Sequence, residues 1–239
     1  MIVLCLTMDR KKMSIVKPED DKAVEARIKK TNEALLRPGI KREEVTACYD
    51  KWAKTYDESI REDRCRASYV ILEDVLQRIP ASSRTSCRVL DVAAGTGCMG
   101  QHLRREGFRH IDAVEPSRGM MEKLKSKGAY TNFFQEYVGT GDSTVPQDTY
   151  DLVLICGGMG EGHVPVSGID EVVRAAKKGS LISIAMRLSF LETVEAYKDK
   201  LEPYMEQLEK QDVWIKAERR VVHDYYFKED GLLFTYIKA

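Results

Sequence analysis

The second half of the chain alternates between short apolar runs and amphipathic segments. The apolar runs predict strands at residues 87–92, 110–116, 131–138, 150–156 and 180–187. Segments with helical spacing lie between them, at residues 98–106, 117–128 and 167–179. Ser117 is the expected N-cap of the middle helix. Strands that alternate with helices predict a parallel sheet covered by helices on both faces.

The first 80 residues follow a helical pattern instead. Residues 18–36, 41–59 and 66–79 are predicted helices, and residues 80–86 a loop. In the second of these helices Val45, Tyr49, Trp52 and Tyr56 lie on one face. We therefore expect a disordered N-terminus at 1–18, a helical cap or lid at 19–80, and an α/β domain at 81–239.

The C-terminal segment breaks the strand and helix alternation. Residues 191–211 are predicted to be helical with a break at Pro203. Two strands then follow, at 213–227 and 232–239. The intervening KEDG contains Asp230-Gly231, a common hairpin turn, so the sheet is expected to end in an antiparallel hairpin.

Composition narrows the function classes. The 239 residues carry 38 basic and 38 acidic side chains, and this balance argues against a nucleic-acid binder. Six scattered cysteines form no C-x-x-C pair, which argues against a zinc site and favours a reducing compartment, the cytoplasm or the nucleus. No apolar run reaches the ~18–20 residues of a membrane span. We expect a monomer that binds no metal.

A glycine-rich loop follows the first predicted strand in VLDVAAGTGCMG, residues 89–100. Gly95, Gly97 and Gly100 fit the G-x-G-x-x-G pattern of dinucleotide-binding folds. Asp91, however, ends the strand, where a carboxylate would repel a pyrophosphate. S-adenosylmethionine has no phosphate, and its ammonium group would be attracted to an acid. Asp91 therefore favours S-adenosylmethionine over NAD.

A second acid, Glu115, ends the next strand twenty residues after Gly95. A carboxylate there can accept both ribose hydroxyls, and it serves either cofactor equally. Pro116 and Ser117 follow it. Met120 either packs on the adenine or belongs to the core.

Several segments together resemble the class I S-adenosylmethionine-dependent methyltransferases. VLDVAAGTG resembles their motif I, AVEPSRGMMEKLKSKG the ribose-binding strand and helix, and YDLVLICGGMGEGHVP the fourth strand and its loop. YDKWAKTYDE resembles the N-terminal lid helix, and the likeness covers roughly residues 33–239. It implies methyl transfer from S-adenosylmethionine by a Rossmann-like, seven-stranded, mostly parallel sheet with an antiparallel C-terminal hairpin and a helical lid.

The resemblance also implies the residues of the cofactor site. They are Trp52, Tyr56, Asp91, Ala93, Ala94, Gly95, Thr96, Gly97, Glu115, Pro116, Ser117, Met120, Tyr137, Val138, Cys156 and Gly157. Ala93 departs from the family, which often has glycine there. Tyr137 and Val138 stand where many members have an acid beside adenine, so apolar and backbone contacts are expected.

The methyl acceptor leaves a weaker signature. His163, in the loop after the fourth strand, either acts as a general base or bonds the loop backbone. Arg187 either binds an acidic substrate or forms an ion pair. Without motifs for nucleic-acid methylation, a small molecule or a protein side chain is the expected acceptor. The alternatives are an NAD(P)-dependent oxidoreductase and a non-catalytic protein that binds the cofactor.

Overall fold

The computed structural model describes residues 21–61 and 63–239, and a seven-stranded sheet lies at its centre. The strands are β1 (Arg88–Val92), β2 (His110–Val114), β3 (Phe133–Phe134), β4 (Tyr150–Cys156), β5 (Ala176–Arg187), β6 (Trp214–Tyr226) and β7 (Glu229–Lys238). Their order is β3-β2-β1-β4-β5-β7-β6. The first five pair in parallel, and β7 is antiparallel to both β5 and β6. The predicted fold class is confirmed.

Helices precede the sheet and cover both of its faces. They are α1 (Asp21–Leu35), α2 (Arg42–Trp52), α3 (Tyr56–Ser59), α4 (Ala67–Arg78), α5 (Ala81–Arg84), α6 (Cys98–Arg105), α7 (Arg118–Ser126), α8 (Gly168–Ala175), α9 (Phe190–Thr193) and α10 (Leu201–Lys210). The disordered segment expected at 1–18 lies outside the described residues. None of the helices in the described part of the chain is both long and apolar enough to span a membrane.

The core of the sheet follows from its apolar strands. Leu152, Val153, Leu154 and Ile155 of β4 are fully buried, as expected for a parallel strand covered on both faces. One apolar cluster on each side of the sheet joins the strands to the helices. Helix α4 belongs to one of these clusters and packs on β4, β5 and α6, although the expected cap extends to residue 80.

The predicted helix at 41–59 is interrupted. Helix α2 ends at Trp52, and α3 begins at Tyr56 after a turn. The Ser59 hydroxyl donates to the Thr55 carbonyl and accepts from the Trp52 indole nitrogen at 3.3 Å, so the turn is closed by side chains. The break brings the Tyr56 ring edge-on to Trp52, with 4.8 Å between centroids.

The third strand is much shorter than the predicted 131–138. Only Phe133 and Phe134 pair, with Ala113 and Val114 of β2. Glu136 turns away from the sheet, because its carboxylate accepts bonds from Ser143 and Thr144. The chain after β3 therefore continues as a loop.

The hairpin turn lies three residues earlier than predicted. Phe227 and Lys228 form it, with φ of 47° and 66°, and Tyr226 pairs with Glu229. Two consecutive left-handed residues are what a type I′ turn requires. Asp230 and Gly231 lie in β7 instead. A methyl group on Gly231 would come within 2.2 Å of the Tyr225 ring, so this glycine provides space rather than a turn.

Other helix boundaries differ by local causes. The helix predicted at 167–179 ends at Ala175, because residues 176–179 already belong to β5. The 191–211 segment divides into α9 and α10, and Pro203 lies in the first turn of α10, where a missing N–H breaks no helical bond. The 80–86 loop contains the single turn α5.

Candidate cofactor and acceptor site

A cavity of about 410 Å³ lies between the carboxyl ends of the central strands and the lid helices α2 and α3. Its size is in the range of small-molecule sites. The predicted site residues that line it are Trp52, Tyr56, Asp91, Ala93, Ala94, Gly95, Thr96, Glu115, Pro116, Ser117, Met120, Tyr137, Val138, Cys156, Gly157 and His163. Gly97 does not line it, but caps α6 with a φ of 82°. A methyl group on Gly97 would lie 2.8 Å from the Tyr130 ring.

Asp91 carries a buried carboxylate at the floor of this cavity. It is 0% exposed, and its Oδ2 accepts a hydrogen bond from the Tyr130 hydroxyl at 2.6 Å. Its Oδ1 is buried without a partner. Burial, and to a lesser degree the nearby Glu115, raises the pKa of Asp91 to about 7, against the Tyr130 hydrogen bond. A cation in the cavity would satisfy Oδ1 and favour the ionised form.

Tyr130 is a site residue that the sequence did not reveal. Its hydroxyl donates to Asp91 and accepts from the Gly100 backbone N–H at 2.9 Å. A methyl group on Gly100 would lie 2.2 Å from the tyrosine ring. The last glycine of the G-x-G-x-x-G pattern therefore makes room for the residue that orients Asp91. In the sequence, Gly100 indicated only the dinucleotide pattern and not this neighbour.

Glu115 joins the end of β2 to the glycine loop. Its Oε2 accepts from the Gly95 N–H and its Oε1 from the Ser117 N–H, both at 2.8 Å. It is 6% exposed, and burial raises its pKa to about 7, although both backbone bonds favour the charged form. Each oxygen has a further lone pair, so the carboxylate can accept two more hydrogen bonds.

The Ala93 substitution in the glycine loop is accommodated by a second glycine. Ala93 has a φ of 57°, a conformation that costs a residue with a Cβ about 1–2 kcal/mol. A methyl group on Gly158 would lie 2.6 Å from the Ala93 Cβ, so the loop after β4 leaves space for it. The loop keeps the left-handed turn that its position requires.

Two acids of the lid hold it against the sheet, and sequence analysis missed both. Asp50 Oδ1 accepts from the Ser117 hydroxyl at 2.6 Å and from the Gly119 N–H at 2.8 Å. Asp57 accepts from the Thr96 hydroxyl at 2.5 Å and pairs with Lys127 at 2.8 Å. Ser117 also caps α7, as predicted, because its Oγ accepts from the Met120 N–H. The lid thus closes directly on the glycine loop and on α7.

The side of the cavity near Tyr137 is also tied to the lid. The Tyr137 hydroxyl lies 3.0 Å from the Thr46 hydroxyl, and the Arg42 guanidinium lies 4.8 Å from the Tyr137 ring centroid. Met120, Val138 and Pro116 line the same cavity. Together with Tyr137, these residues offer the cavity apolar surface and one aromatic ring. The Met120 side chain, which belongs to α7, is buried.

His163 has partners on both ring nitrogens. Its Nδ1 lies 2.7 Å from the Glu161 carbonyl oxygen, and its Nε2 lies 2.9 Å from the Tyr49 hydroxyl. Because a carbonyl only accepts, Nδ1 carries the proton and Nε2 accepts from Tyr49. Burial lowers the pKa of His163, so the ring is neutral near pH 7. His163 thus lines the cavity, but one ring nitrogen bonds the loop backbone and the other is engaged by the Tyr49 hydroxyl.

Arg187, the other candidate for the acceptor, is held in an ion pair. Its Nη2 lies 2.6 and 2.7 Å from the two carboxylate oxygens of Glu229. The guanidinium also packs 4.8 Å from the Phe190 ring centroid and 5.0 Å from that of Tyr226. Its charge is therefore already balanced.

Residues 60–227 match the family model described as "Methyltransferase domain". The chain belongs to this methyltransferase domain family. Over 166 residues the protein is 32% identical to Methyltransferase-like protein 27 of Homo sapiens, and the alignment covers 70% of this chain and 66% of that protein. Over 147 residues it is 29% identical to a demethylmenaquinone methyltransferase of Clavibacter sepedonicus, and the alignment covers 59% of this chain and 57% of that protein. The chain thus spans less than two thirds of either relative.

The solved structures agree with the fold. The [4+2]-cyclase SpnF superposes with a TM-score of 0.59 at 14% identity, covering 85% of this chain and 98% of that one. At this identity the likeness concerns the fold alone. Family membership decides against the NAD(P)-dependent oxidoreductase alternative. Among the residues that the structure describes, no group of three or more His, Cys, Asp or Glu side chains could hold a metal ion.

Proposed function

We propose that this protein binds S-adenosylmethionine and transfers its methyl group to a small molecule or a protein side chain. The observation that carries the proposal is the unpartnered, fully buried Oδ1 of Asp91 in a cavity that Glu115 also lines. An isolated buried carboxylate is costly unless a cation or hydrogen-bond donors compensate it. The ammonium group of S-adenosylmethionine supplies that compensation, whereas a pyrophosphate would add a second negative charge.

The rest of the cavity fits the other parts of this cofactor. Glu115 has lone pairs available for two ribose hydroxyls. The loop around Gly95 offers backbone N–H groups for the cofactor's carboxylate. Tyr137, Val138 and Met120 offer apolar and aromatic surface for the adenine. Cys156 and Gly157, at the end of β4, are proposed to lie beside the sulfonium.

The chemistry requires alignment more than catalytic groups. When bound, S-adenosylmethionine supplies an activated methyl group: the acceptor's lone pair bonds to the methyl carbon, and the C–S bond breaks with its electron pair returning to sulfur. The chain's residues align the acceptor and exclude water. The lid serves this purpose, because Asp57 binds it to Thr96 of the glycine loop and Asp50 binds it to the start of α7.

An acceptor that carries a proton needs a base, and the geometry offers a route through two residues. The Tyr49 hydroxyl lines the cavity and donates to His163 Nε2. The acceptor's proton would pass to the Tyr49 oxygen while the Tyr49 proton passes to His163. The resulting imidazolium would donate from Nδ1 to the Glu161 carbonyl. We therefore propose that His163 acts through Tyr49 rather than by touching the acceptor.

We further propose that the protein works as a monomer in a reducing compartment, the cytoplasm or the nucleus. The free thiols of Cys48, Cys65, Cys87, Cys98 and Cys156 support this location.

Calorimetric titration of the purified chain with S-adenosylmethionine and, separately, with NADH tests the cofactor proposal. We expect saturable binding of S-adenosylmethionine and S-adenosylhomocysteine and none of NADH. Binding of NADH alone would contradict the proposal. A methyl-transfer screen with labelled S-adenosylmethionine over metabolites and peptides then separates an enzyme from a non-catalytic binder, since the latter would bind the cofactor and label nothing.

A further inference from the structure

Tyr225 has a buried hydroxyl that nothing in the cofactor proposal uses. The residue is 2% exposed and lines the cavity, and its hydroxyl has no hydrogen-bond partner. Among the described residues four buried side-chain polar atoms lack partners, and of these only Asp91 Oδ1 and the Tyr225 hydroxyl belong to cavity-lining residues. A buried donor without a partner is costly and requires an explanation. Asp91 is explained by a cation, which leaves Tyr225.

The backbone is bent specifically where Tyr225 enters the cavity. The β6–β7 register shifts between Val222 and Tyr226, and Asp224 has a φ of 54°. Irregular strand residues of this kind re-aim a side chain. Gly231, directly across the hairpin, leaves the space that the Tyr225 ring occupies. The Tyr225 carbonyl accepts from the Arg66 N–H at 2.8 Å, which fixes the bend against the chain entering α4.

The Tyr225 hydroxyl lies near the end of β4, beside which we propose that the sulfonium and its methyl group bind. It is 3.9 Å from the position that a Cβ on Gly157 would occupy, and Gly157 directly follows Cys156, the last residue of β4. Ala67 is equally close to that position, and Met186 and Phe190 also line the cavity. Apolar side chains thus line the same cavity as this hydroxyl.

Apart from Asp91, which we propose to pair with the cofactor's ammonium group, the described ionisable groups near Cys156 and Tyr225 are neutral or paired. Burial raises the pKa of Cys65 to about 11 and that of Cys156 well above its ordinary value, so both are thiols. Arg187 is bound by Glu229. Burial also raises the pKa of Tyr225, so its hydroxyl keeps its proton and can donate. A charged acceptor would find no free counter-charge among these groups.

We propose that Tyr225 is an acceptor-binding residue, and that the acceptor is a small, uncharged, largely apolar molecule whose hydroxyl or similar polar group hydrogen-bonds the Tyr225 hydroxyl beside Gly157. This proposal rests on the proposed function, because it places the acceptor where the cofactor's methyl group would face it. It selects a small molecule over a protein side chain as the acceptor class.

Fluorine NMR titrations of the full chain, saturated with S-adenosylhomocysteine, test the proposal with two matched probes. The probes are 4-fluorophenol and fluorobenzene, which differ in one hydroxyl. We expect the wild type to bind 4-fluorophenol at least about fivefold more tightly, as one added hydrogen bond provides. In Tyr225→Phe the two affinities should become equal. The anion 4-fluorobenzoate should bind the wild type at least about tenfold more weakly than 4-fluorophenol.

The matched control is Tyr226→Phe, because the Tyr226 hydroxyl already has Asn32 as a partner at 2.8 Å. This variant should keep the wild-type ratio of the two affinities. Equal affinities of the wild type for 4-fluorophenol and fluorobenzene would overturn the proposal, even if Tyr225→Phe failed to fold. A folded Tyr225→Phe variant that kept the wild-type ratio of the two affinities would also overturn it. Calorimetry with S-adenosylhomocysteine comes first: no binding would overturn the proposed function, whereas binding with an unchanged ratio would overturn only the role of Tyr225.

Discussion

The two sides of the cavity are built by different forces. On the sheet side, Asp91 and Glu115 are fixed by buried strands and accept bonds from Tyr130 and from backbone N–H groups. On the lid side, contact depends on a few side-chain hydrogen bonds, chiefly those of Asp50 and Asp57. We therefore expect the sheet side to determine the affinity for a ligand, and the lid to determine how quickly the ligand enters and leaves.

The apolar clusters support the same division. In the first part of the lid, residues 24–52, the buried apolar residues Val24, Ile28, Leu35, Ile40, Val45 and Trp52 form a cluster of their own. The two large clusters that hold the sheet together contain none of them. Opening of this part of the lid would therefore break polar contacts and the packing of Leu36, but leave the buried core of the sheet intact. Segments with few buried apolar contacts to the core open at low free-energy cost.

Replacing Asp91 is expected to have the largest effect. Asp91→Asn keeps the shape but removes the charge that compensates a bound ammonium. We expect S-adenosylmethionine affinity to fall at least about 100-fold, as for a lost buried charge pair. Calorimetry measures it, and the Tm of the ligand-free variant shows whether it folds. A folded variant with near wild-type affinity would remove Asp91 from the binding site.

Replacing Glu115 should have the next largest effect. Glu115→Ala removes the proposed acceptor of the ribose hydroxyls and two bonds that order the glycine loop. Hydrogen bonds to charged groups are worth about 1.5–3 kcal/mol, so affinity should fall about 10- to 150-fold. An exposed acid elsewhere, Glu192, provides the control as Glu192→Ala, which should bind normally. Unchanged affinity in Glu115→Ala would exclude the ribose role.

Affinity should also depend on pH. The pKa of Asp91 and that of Glu115 are both raised to about 7, and a cationic ligand binds the ionised form. Affinity should therefore rise with pH up to about 7 and level off above it. Well below pH 7, each of the two carboxyl groups should lower the affinity about tenfold for each unit by which the pH falls. Titrations from pH 5.5 to 8.5 measure this. A flat profile would show that neither acid carries the binding.

The same shift has the opposite consequence for the ligand-free protein. The pKa of Asp91 rises from its ordinary 3.8 to about 7 on folding, so between these values the folded state holds a proton that the unfolded state has lost. The free energy of unfolding should therefore fall as pH rises through this window, and Asp91→Asn should reduce that fall. Melting at several pH values compares the two proteins.

The smallest expected effect concerns the lid. Asp50→Ala removes two hydrogen bonds to the start of α7 from an exposed side chain. We expect dissociation of S-adenosylmethionine to become about two- to fivefold faster than in the wild type. The substitution should also accelerate amide exchange in α2 more than in β1 or β4. Glu58→Ala, an exposed acid of α3, is the matched control. An unchanged dissociation rate in Asp50→Ala would contradict the role of the lid.

Local patterns predicted the sheet well because burial imposes periodicity on each strand. β1, β2 and β4 occur within two residues of their predicted bounds. The contacts that complete the site escaped prediction, because they join residues far apart in sequence. Asp50 and Ser117 are separated by 67 residues, and Tyr130 and Asp91 by 39. Neither pair leaves a local pattern.

Gly231 shows how a local rule can mislead. Asp-Gly is a strong turn signal, but here the glycine is required by the ring of Tyr225 across the hairpin. The turn instead uses Phe227 and Lys228, whose left-handed conformations are unusual for side chains of their size. Tertiary contact therefore determined both the position of the turn and the use of the glycine.

The most direct test of the central claim is calorimetry of S-adenosylmethionine binding at pH 7 in two buffers of different ionisation enthalpy. Because Asp91 and Glu115 titrate near this pH, binding of a cation should release about half a proton or more into solution. In Asp91→Asn the release should shrink along with the affinity. Tight binding without proton release, unchanged in Asp91→Asn, would contradict the account.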